Sequence, residues 1–89
     1  MSAAERWSVA LSVHEHEGQT RAEARLDLGD SAHLLGHGTA RRNPSDPDVA
    51  EIGEMIAVAR ALSDVAHMLL GSAAAQLEDI THQQAHLDL

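Results

Sequence analysis

Hydrophobic and polar residues alternate along the first half of the chain, from about residue 6 to residue 42. A period of two is typical of β-strands with one buried face, and here it predicts three strands. The apolar rows of the first two strands are Trp7, Val9, Leu11 and Val13, then Ala22, Ala24, Leu26 and Leu28. Residues 17–18, Glu-Gly, fit a two-residue hairpin turn between the rows. A turn centred there pairs the rows from Val13 with Ala22 to Trp7 with Leu28, so every facing pair is apolar.

The third predicted strand runs from about His33 to Arg41 and contains two glycines. Its best register places one row on the same face as Ala24 and Leu26. That row is Leu34, Gly36, Gly38 and Ala40. Glycines weaken a strand, so their presence needs a reason. Either a helix approaches the sheet closely at these positions or the strand bulges there, and the sequence leaves both readings open.

A connector rich in turn-forming residues, 42–47, separates the strands from a helical half. Asp48 precedes Glu51 by three residues, which is the spacing of a capping box and predicts a helix from about residue 49 to 70. Two apolar stripes run along this helix at helical spacing. The first comprises Ile52, Met55, Ile56, Ala59, Leu62, Ala66 and Leu69, and the second comprises Val58, Ala61, Val65 and Met68.

Gly71 is predicted to end this helix, and Ser72 to cap a second, shorter helix through about residue 81. Residues 82–89 have no clear period and are predicted to form an irregular tail. The order β-β-β-α-α predicts an α+β fold, in which a three-stranded antiparallel meander carries helices on one face. The length predicts a single domain over residues 1–89.

The apolar residues available for a core are small. The chain has 16 alanines, no Phe and no Tyr, and Trp7 is its only aromatic residue. Small side chains bury little area each, and a three-stranded sheet leaves two open edges and one uncovered face. We therefore expect a homodimer. Met55 and Met68 are candidates for a groove that holds a partner helix, although methionines at this spacing are more often core or dimer contacts.

The net charge of −8 disfavours a general phosphate-binding protein. The acidity is uneven, however: residues 1–42 carry six acids and five arginines, a net of −1, whereas residues 43–89 carry eight acids and one arginine, a net of −7. The polar face of the sheet is therefore a candidate surface for RNA or an acidic protein partner. Its residues are Arg21, Arg25, His37, Arg41 and Arg42.

The predicted register places Arg25 beside His37 and Arg21 beside Arg41, with Arg42 just beyond them. Two facing arginines repel unless an anion or an acidic partner lies between them. A solvated face with balanced charges and a dimer interface are the alternatives. The face lacks the stacking aromatics of RNA-binding sheets.

Histidines are numerous but poorly placed for a metal site. Of the seven, His14 and His16 lie on the first predicted strand, and His33 and His37 lie on the third. Those strands are roughly 10 Å apart, so the four cannot close one tetrahedral site. The chain has no cysteine and no recognised catalytic or nucleotide-binding motif. We predict no enzymatic activity, no cofactor and no metal, with a His-based metal protein as a minor alternative.

The N-terminal sequence lacks the basic and apolar segments of a signal peptide. No stretch approaches the roughly 20 apolar residues that cross a bilayer. We therefore expect a cytoplasmic protein that makes no membrane contact.

Six blocks of the sequence carry a resemblance to a known family. They are residues 16–26, 36–41, 42–46, 51–54, 58–64 and 81–83. Together they resemble a small actinobacterial family of unknown function, whose members include mycobacterial proteins associated with dormancy and hypoxia. The resemblance implies an α+β fold like that of double-stranded-RNA-binding domains (dsRBD-like) and a homodimer. It also implies a likeness to ribosome hibernation factors.

The leading hypothesis is therefore a non-catalytic homodimer that acts in stress or dormancy by binding the ribosome or another macromolecule. The alternative is a protein–protein interaction module that does not bind nucleic acid.

Overall fold

The computed structural model describes residues 5–29 and 32–89. The elements are β1 (Ser8–His16), β2 (Gln19–Gly29), β3 (Ala32–Arg41) and α1 (Ala50–Thr81). The strands form one antiparallel sheet in the order β1-β2-β3, and α1 packs on one face of it, against β2 and β3. The predicted α+β class and the meander are confirmed.

The β1–β2 hairpin has the predicted register. Leu11 faces Ala24 and Val13 faces Ala22. The turn residues Glu17 and Gly18 both have positive φ, 49° and 76°, as a two-residue hairpin turn requires. Trp7 precedes β1, so its predicted pairing with Leu28 lies outside the strand ladder.

The β2–β3 register keeps the predicted face but is shifted by two residues from the predicted pairing. Leu26 faces Leu34 and Ala24 faces Gly36. The shift arises at the end of β2, where the ladder is irregular between Asp27 and Gly29 and closes to a Gly29–Ala32 pair. The predicted register assumed a wider connection. Because the side-chain period is two, a two-residue shift leaves the apolar face unchanged and moves only the cross-strand neighbours.

The two glycines of β3 allow a close approach of the helix. A Cβ on Gly36 would lie 2.5 Å from the carbonyl oxygen of Ala61, and a Cβ on Gly38 would overlap the carbonyl oxygen of Ala57. The ladder irregularity lies on β2 near Gly29 rather than at these glycines. Of the two readings left open by the sequence, the close approach is the correct one.

The core is made of small side chains, as the composition predicts. Its buried apolar residues are Ala22, Ala24, Leu26, Ala40, Ala57, Ala61 and Val65. The buried side of α1 is Ala57, Ala61 and Val65, so the second predicted stripe is confirmed in part: Ala61 and Val65 are buried, and Val58 and Met68 are half-buried. The first stripe is largely exposed: Ile52 and Met55 have 51% and 63% of their surface accessible.

A single helix replaces the two predicted helices. α1 continues through Gly71 and ends at Thr81, after which His82 adopts a left-handed conformation and its N–H donates to the carbonyl of Glu78. A glycine inside a helix costs only about 1 kcal/mol relative to alanine. Leucines and alanines on both sides of Gly71 are strong helix formers and offset that cost. Ser72 is therefore a residue within the helix, not a cap.

The predicted capping box does not form either. The N-cap residue is Val49, which makes no side-chain capping hydrogen bond. Asp48 pairs instead with Arg42, whose Nε lies 3.6 Å from its carboxylate. The connector turns back on itself at Asn43, whose side-chain oxygen accepts from the backbone N–H of Ser45 at 3.0 Å.

By length and composition alone, α1 would be able to cross a bilayer, so the prediction that no stretch qualifies is wrong on that criterion. The same two properties describe a helix that packs on a sheet. Arg60 and Asp64 near its middle both bond to the backbone of β3, which ties the helix to the sheet.

Candidate interaction surfaces

The helix covers only part of the apolar side of the sheet. α1 packs on β2 and β3 and barely touches β1, and all nine residues of β1 are exposed. The exposed apolar residues are Val9, Leu11 and Val13 on β1, together with Met55, Ala59 and Leu62 on the adjacent flank of α1, where the half-buried Val58 lies among them. We call these seven residues the open apolar face. Val13 and the helix residues line a shallow groove within it, with Glu54 at the rim.

Of the two methionines predicted to line a groove for a partner helix, only one lies in the groove that the structure shows. Met55 lies in the open apolar face and is 63% exposed. Met68 is half-buried and does not line this groove. The groove is therefore built from one methionine, the β-branched residues Val13 and Val58, and Leu62.

The polar face of the sheet does not have the predicted pairing of basic residues. Arg25 faces Leu35 rather than His37, and Arg21 faces Thr39 rather than Arg41. Both differences follow from the two-residue shift between β2 and β3. The expected cluster of facing arginines is therefore absent from the sheet.

Acidic groups lie beside three of the five candidate residues. Arg25 Nε lies 3.3 Å from Asp27, and His37 Nε2 lies 3.3 Å from Glu23, directly across the strands. Arg42 contacts Asp48, and its Nη1 also donates to the carbonyl of Asp46 at 3.1 Å. These pairs reduce the positive potential that an RNA phosphate would meet on this face.

Arg21 and Arg41 make no ion pair within 4.0 Å among the residues that the structure describes. Arg21 lies between His14 and Thr39, and Arg41 lies opposite Gln19. They are the part of the predicted set that stays available to an acidic partner. The two positions lie toward the hairpin-turn end of the sheet.

A cavity of about 240 Å³ lies between the hairpin turn, the connector and the first turns of α1. Its apolar wall includes Val49, Ile52 and Ile56, and Thr20 is buried beside Gly53. Its polar lining includes Glu15, Arg42 and Asp48. The sequence analysis missed this cavity because the path of the connector was unknown. The one sequence feature that indicates the apolar wall is the helical spacing (i, i+3, i+7) of Val49, Ile52 and Ile56.

Within residues 5–29 and 32–89, no three histidine, aspartate or glutamate side chains lie close enough to hold a metal ion. These residues therefore provide no site for the alternative prediction of a His-based metal-binding protein. His37 is instead engaged twice, through its ring with Glu23 and through its backbone N–H with Asp64.

The sheet, the single long helix and their order also occur in known proteins. The family model described as Rv2632c-like matches residues 5–86. The chain belongs to the Rv2632c-like family. An uncharacterized protein of Mycobacterium tuberculosis (strain CDC 1551 / Oshkosh) is 48% identical over 81 residues, which cover 91% of this chain and 85% of that protein. The uncharacterized protein Rv2632c of strain H37Rv is 44% identical over 75 residues, covering 84% and 80% of the two chains.

The crystal structure of Rv2632c superposes on this chain with a TM-score of 0.81 and 38% sequence identity, covering 92% of this chain and 96% of that one. Membership of the Rv2632c-like family accounts for the predicted resemblance to uncharacterised mycobacterial proteins. It also confirms three antiparallel strands followed by one helix as the family fold. Neither the relatives nor the matched structure indicates a specific activity.

Proposed function

We propose that this Rv2632c-like protein is a non-catalytic protein-interaction module that acts as a homodimer, with the open apolar face as its interface. The observation that carries this proposal is the surface left uncovered by the monomer. The chain exposes 6977 Å², whereas a compact 9.5 kDa monomer exposes about 5,000 Å².

A dimer interface of ordinary size would remove much of this excess. Obligate homodimers bury roughly 1,000 Å² or more from each chain. The open apolar face is rich in aliphatic side chains, with Leu11 47% and Leu62 40% exposed, and Val13 adjoins its helix residues in the groove. Aliphatic area removed from water stabilises by about 25 cal/mol per Å². A core made chiefly of alanine gains little from burial within one chain, so a second chain supplies what the monomer lacks.

Binding of the ribosome or another macromolecule in stress or dormancy is the second candidate. Arg21 and Arg41 support it, because no acidic partner lies beside them in the described residues. The net charge of −8 and the acids beside Arg25, His37 and Arg42 favour a protein partner over RNA. Co-sedimentation with ribosomes at low and physiological salt tests this candidate. Retention at physiological salt that is lost in an Arg21→Ala, Arg41→Ala variant would support it, and protein that stays in the supernatant at both salts would refute it.

The homodimer is tested with two variants of β1, one with a charge on the apolar face of the strand and one with a charge on its polar face. Leu11→Glu puts a carboxylate into the open apolar face, whereas Ala10→Glu puts it on the polar face, opposite Arg25. In sedimentation velocity, we expect Leu11→Glu to be monomeric and Ala10→Glu to remain dimeric like the unsubstituted chain. Circular dichroism confirms that both variants are folded. Equal behaviour of the two variants would contradict this choice of interface.

A further inference from the structure

We propose that the cavity between the hairpin turn, the connector and α1 binds a small aliphatic amine in its protonated, ammonium form. Glu15 and Thr20 hold the ammonium group, and the aliphatic chain lies against the apolar wall of the cavity. The cavity shares no lining residue with the open apolar face. This inference therefore goes beyond the proposed function and does not depend on the homodimer.

The hydroxyl of Thr20 is a nearly buried polar group without a partner. Only 4% of Thr20 is exposed, yet its hydroxyl makes no hydrogen bond with any residue in 5–29 or 32–89. No side-chain oxygen that lacks a partner is fully enclosed in this part of the chain, so the hydroxyl opens into the cavity that Thr20 lines. A Cβ on Gly53 would lie 2.9 Å from this oxygen, so glycine at that helix position leaves it uncovered. A polar group of a ligand would recover the free energy that the missing hydrogen bond costs.

Glu15 lies directly across the strands from Thr20. It follows Val13 at the strand period of two, so its side chain is on the helix side of the sheet, where it lines the cavity. Glu15 makes no ion pair within 4.0 Å among the residues that the structure describes. Directly opposite residues of an antiparallel pair have Cβ atoms about 4.5–5.5 Å apart. One ammonium group between the two side chains can therefore donate to the carboxylate and to the hydroxyl.

The charges around the cavity favour a cation over an anion. Arg42 is matched by Asp48, whose carboxylate lies 3.6 Å from its Nε. Asp46 comes shortly before α1, where a carboxylate offsets the partial positive charge of the helix N-terminus. Arg41 also lines the cavity, but its position in β3 places its side chain on the polar face of the sheet. Glu15 is the charge left unmatched, and an ammonium group matches it.

The rest of the cavity fits a short aliphatic chain. Its wall includes Ala40, Val49, Ile52 and Ile56. The volume is about 240 Å³, which accommodates about eight non-hydrogen atoms at roughly 30 Å³ for each water-sized group. Hexylamine is of this size, and it is protonated at neutral pH because alkylammonium groups lose their proton only well above that pH. Hexylamine is therefore a suitable probe.

Binding is measured by titrating the isotope-labelled, unsubstituted chain with hexylamine at neutral pH and following its backbone amide signals by NMR. We expect saturable shifts of the Thr20, Ile52 and Gly53 amides. Hexanoate, which carries a carboxylate on a chain of the same length, is the control ligand, and we expect it to bind at least about tenfold more weakly. Hexylamine that causes no saturable shift at these amides would overturn the proposal. Hexanoate that binds as tightly as hexylamine would overturn the assignment to an amine.

Three variants test the two residues assigned to the ammonium group. Thr20→Val keeps the shape of the side chain without the hydroxyl, and Glu15→Gln removes the charge. We expect each to weaken hexylamine binding about fivefold. The matched control is Glu17→Gln, which removes the same charge from the hairpin turn, outside the cavity lining, and should weaken binding less than about twofold.

The amide spectra also show whether each variant is folded. Glu15 is exposed, so Glu15→Gln decides the question if Thr20→Val does not fold. Unchanged affinity in Glu15→Gln would overturn the proposal. An equal loss in Glu17→Gln and Glu15→Gln would indicate general attraction to an acidic protein and would overturn it too.

Discussion

Gly38 on β3 lies directly beneath Ala57 on α1, so close that a Cβ on the glycine would overlap the carbonyl oxygen of the alanine. One helical turn further along, Gly36 lies beneath Ala61 in the same way. These contacts place the helix over β3 and β2. They are the reason that β1 has no helix above it.

Substituting Gly38 by alanine should destabilise the protein. The added methyl meets backbone atoms of α1, which cannot rotate away, so the helix must shift from the sheet. Overpacking of this kind costs about 1–3 kcal/mol, and we expect the upper part of that range. Urea denaturation at fixed protein concentration measures it. A midpoint unchanged from that of the unsubstituted chain would contradict the close helix–sheet contact.

Gly71→Ala should have the opposite effect. Gly71 lies inside α1 with open space around it, so alanine should stabilise the helix by about 0.5–1 kcal/mol. The same denaturation experiment measures this gain. A loss of stability would indicate a left-handed glycine that ends a first helix, which is the arrangement predicted from the sequence.

Asp64→Ala should remove one of the two bonds that cover the β3 edge. Losing the acceptor of the His37 N–H should cost about 1 kcal/mol, because the site is open to water and the N–H can be solvated. Asp79→Ala on the exposed surface of the same helix is the control, and we expect it to change the unfolding free energy by less than about 0.5 kcal/mol. If the two substitutions cost the same, the Asp64 contact does not stabilise the edge.

Trp7 should report dimer formation by its fluorescence. It is the only tryptophan, it directly precedes β1, and it is 52% exposed in the monomer. Burial of the open apolar face in the proposed homodimer would shield this neighbouring residue from water, so we expect its emission to shift to longer wavelength when the protein is diluted. Leu11→Glu should show the long-wavelength emission at every concentration. An emission maximum that stays constant while light scattering records dissociation would place Trp7 outside the interface.

The strand half of the fold is predictable from sequence because its apolar rows and its turn agree. A register centred on the Glu17-Gly18 turn pairs Val13 with Ala22 and keeps both on the apolar face, and the turn excludes the registers shifted by two residues. The β2–β3 register is harder to predict. A shift of two residues keeps the same side chains on the apolar face, so the apolar pattern does not distinguish one such register from the next. The candidate polar surface depended on that register, which is why Arg25 and His37 are not neighbours.

The helical half was harder to predict for a different reason. Gly71 and Asp48 carry valid local signals for a helix end and a cap, but packing and neighbouring residues outweigh them. The contacts of Arg60 and Asp64 with the β3 edge join positions more than twenty residues apart, and no local pattern indicates them. The open apolar face depends on which strands the helix covers, so it became visible only with the structure.

Light scattering of the unsubstituted chain over a range of micromolar concentrations tests the homodimer most directly. We expect a molar mass of twice the 9.5 kDa chain, falling toward the monomer value only on strong dilution. A mass of 9.5 kDa throughout that range would contradict the homodimer and the interface assigned to the open apolar face.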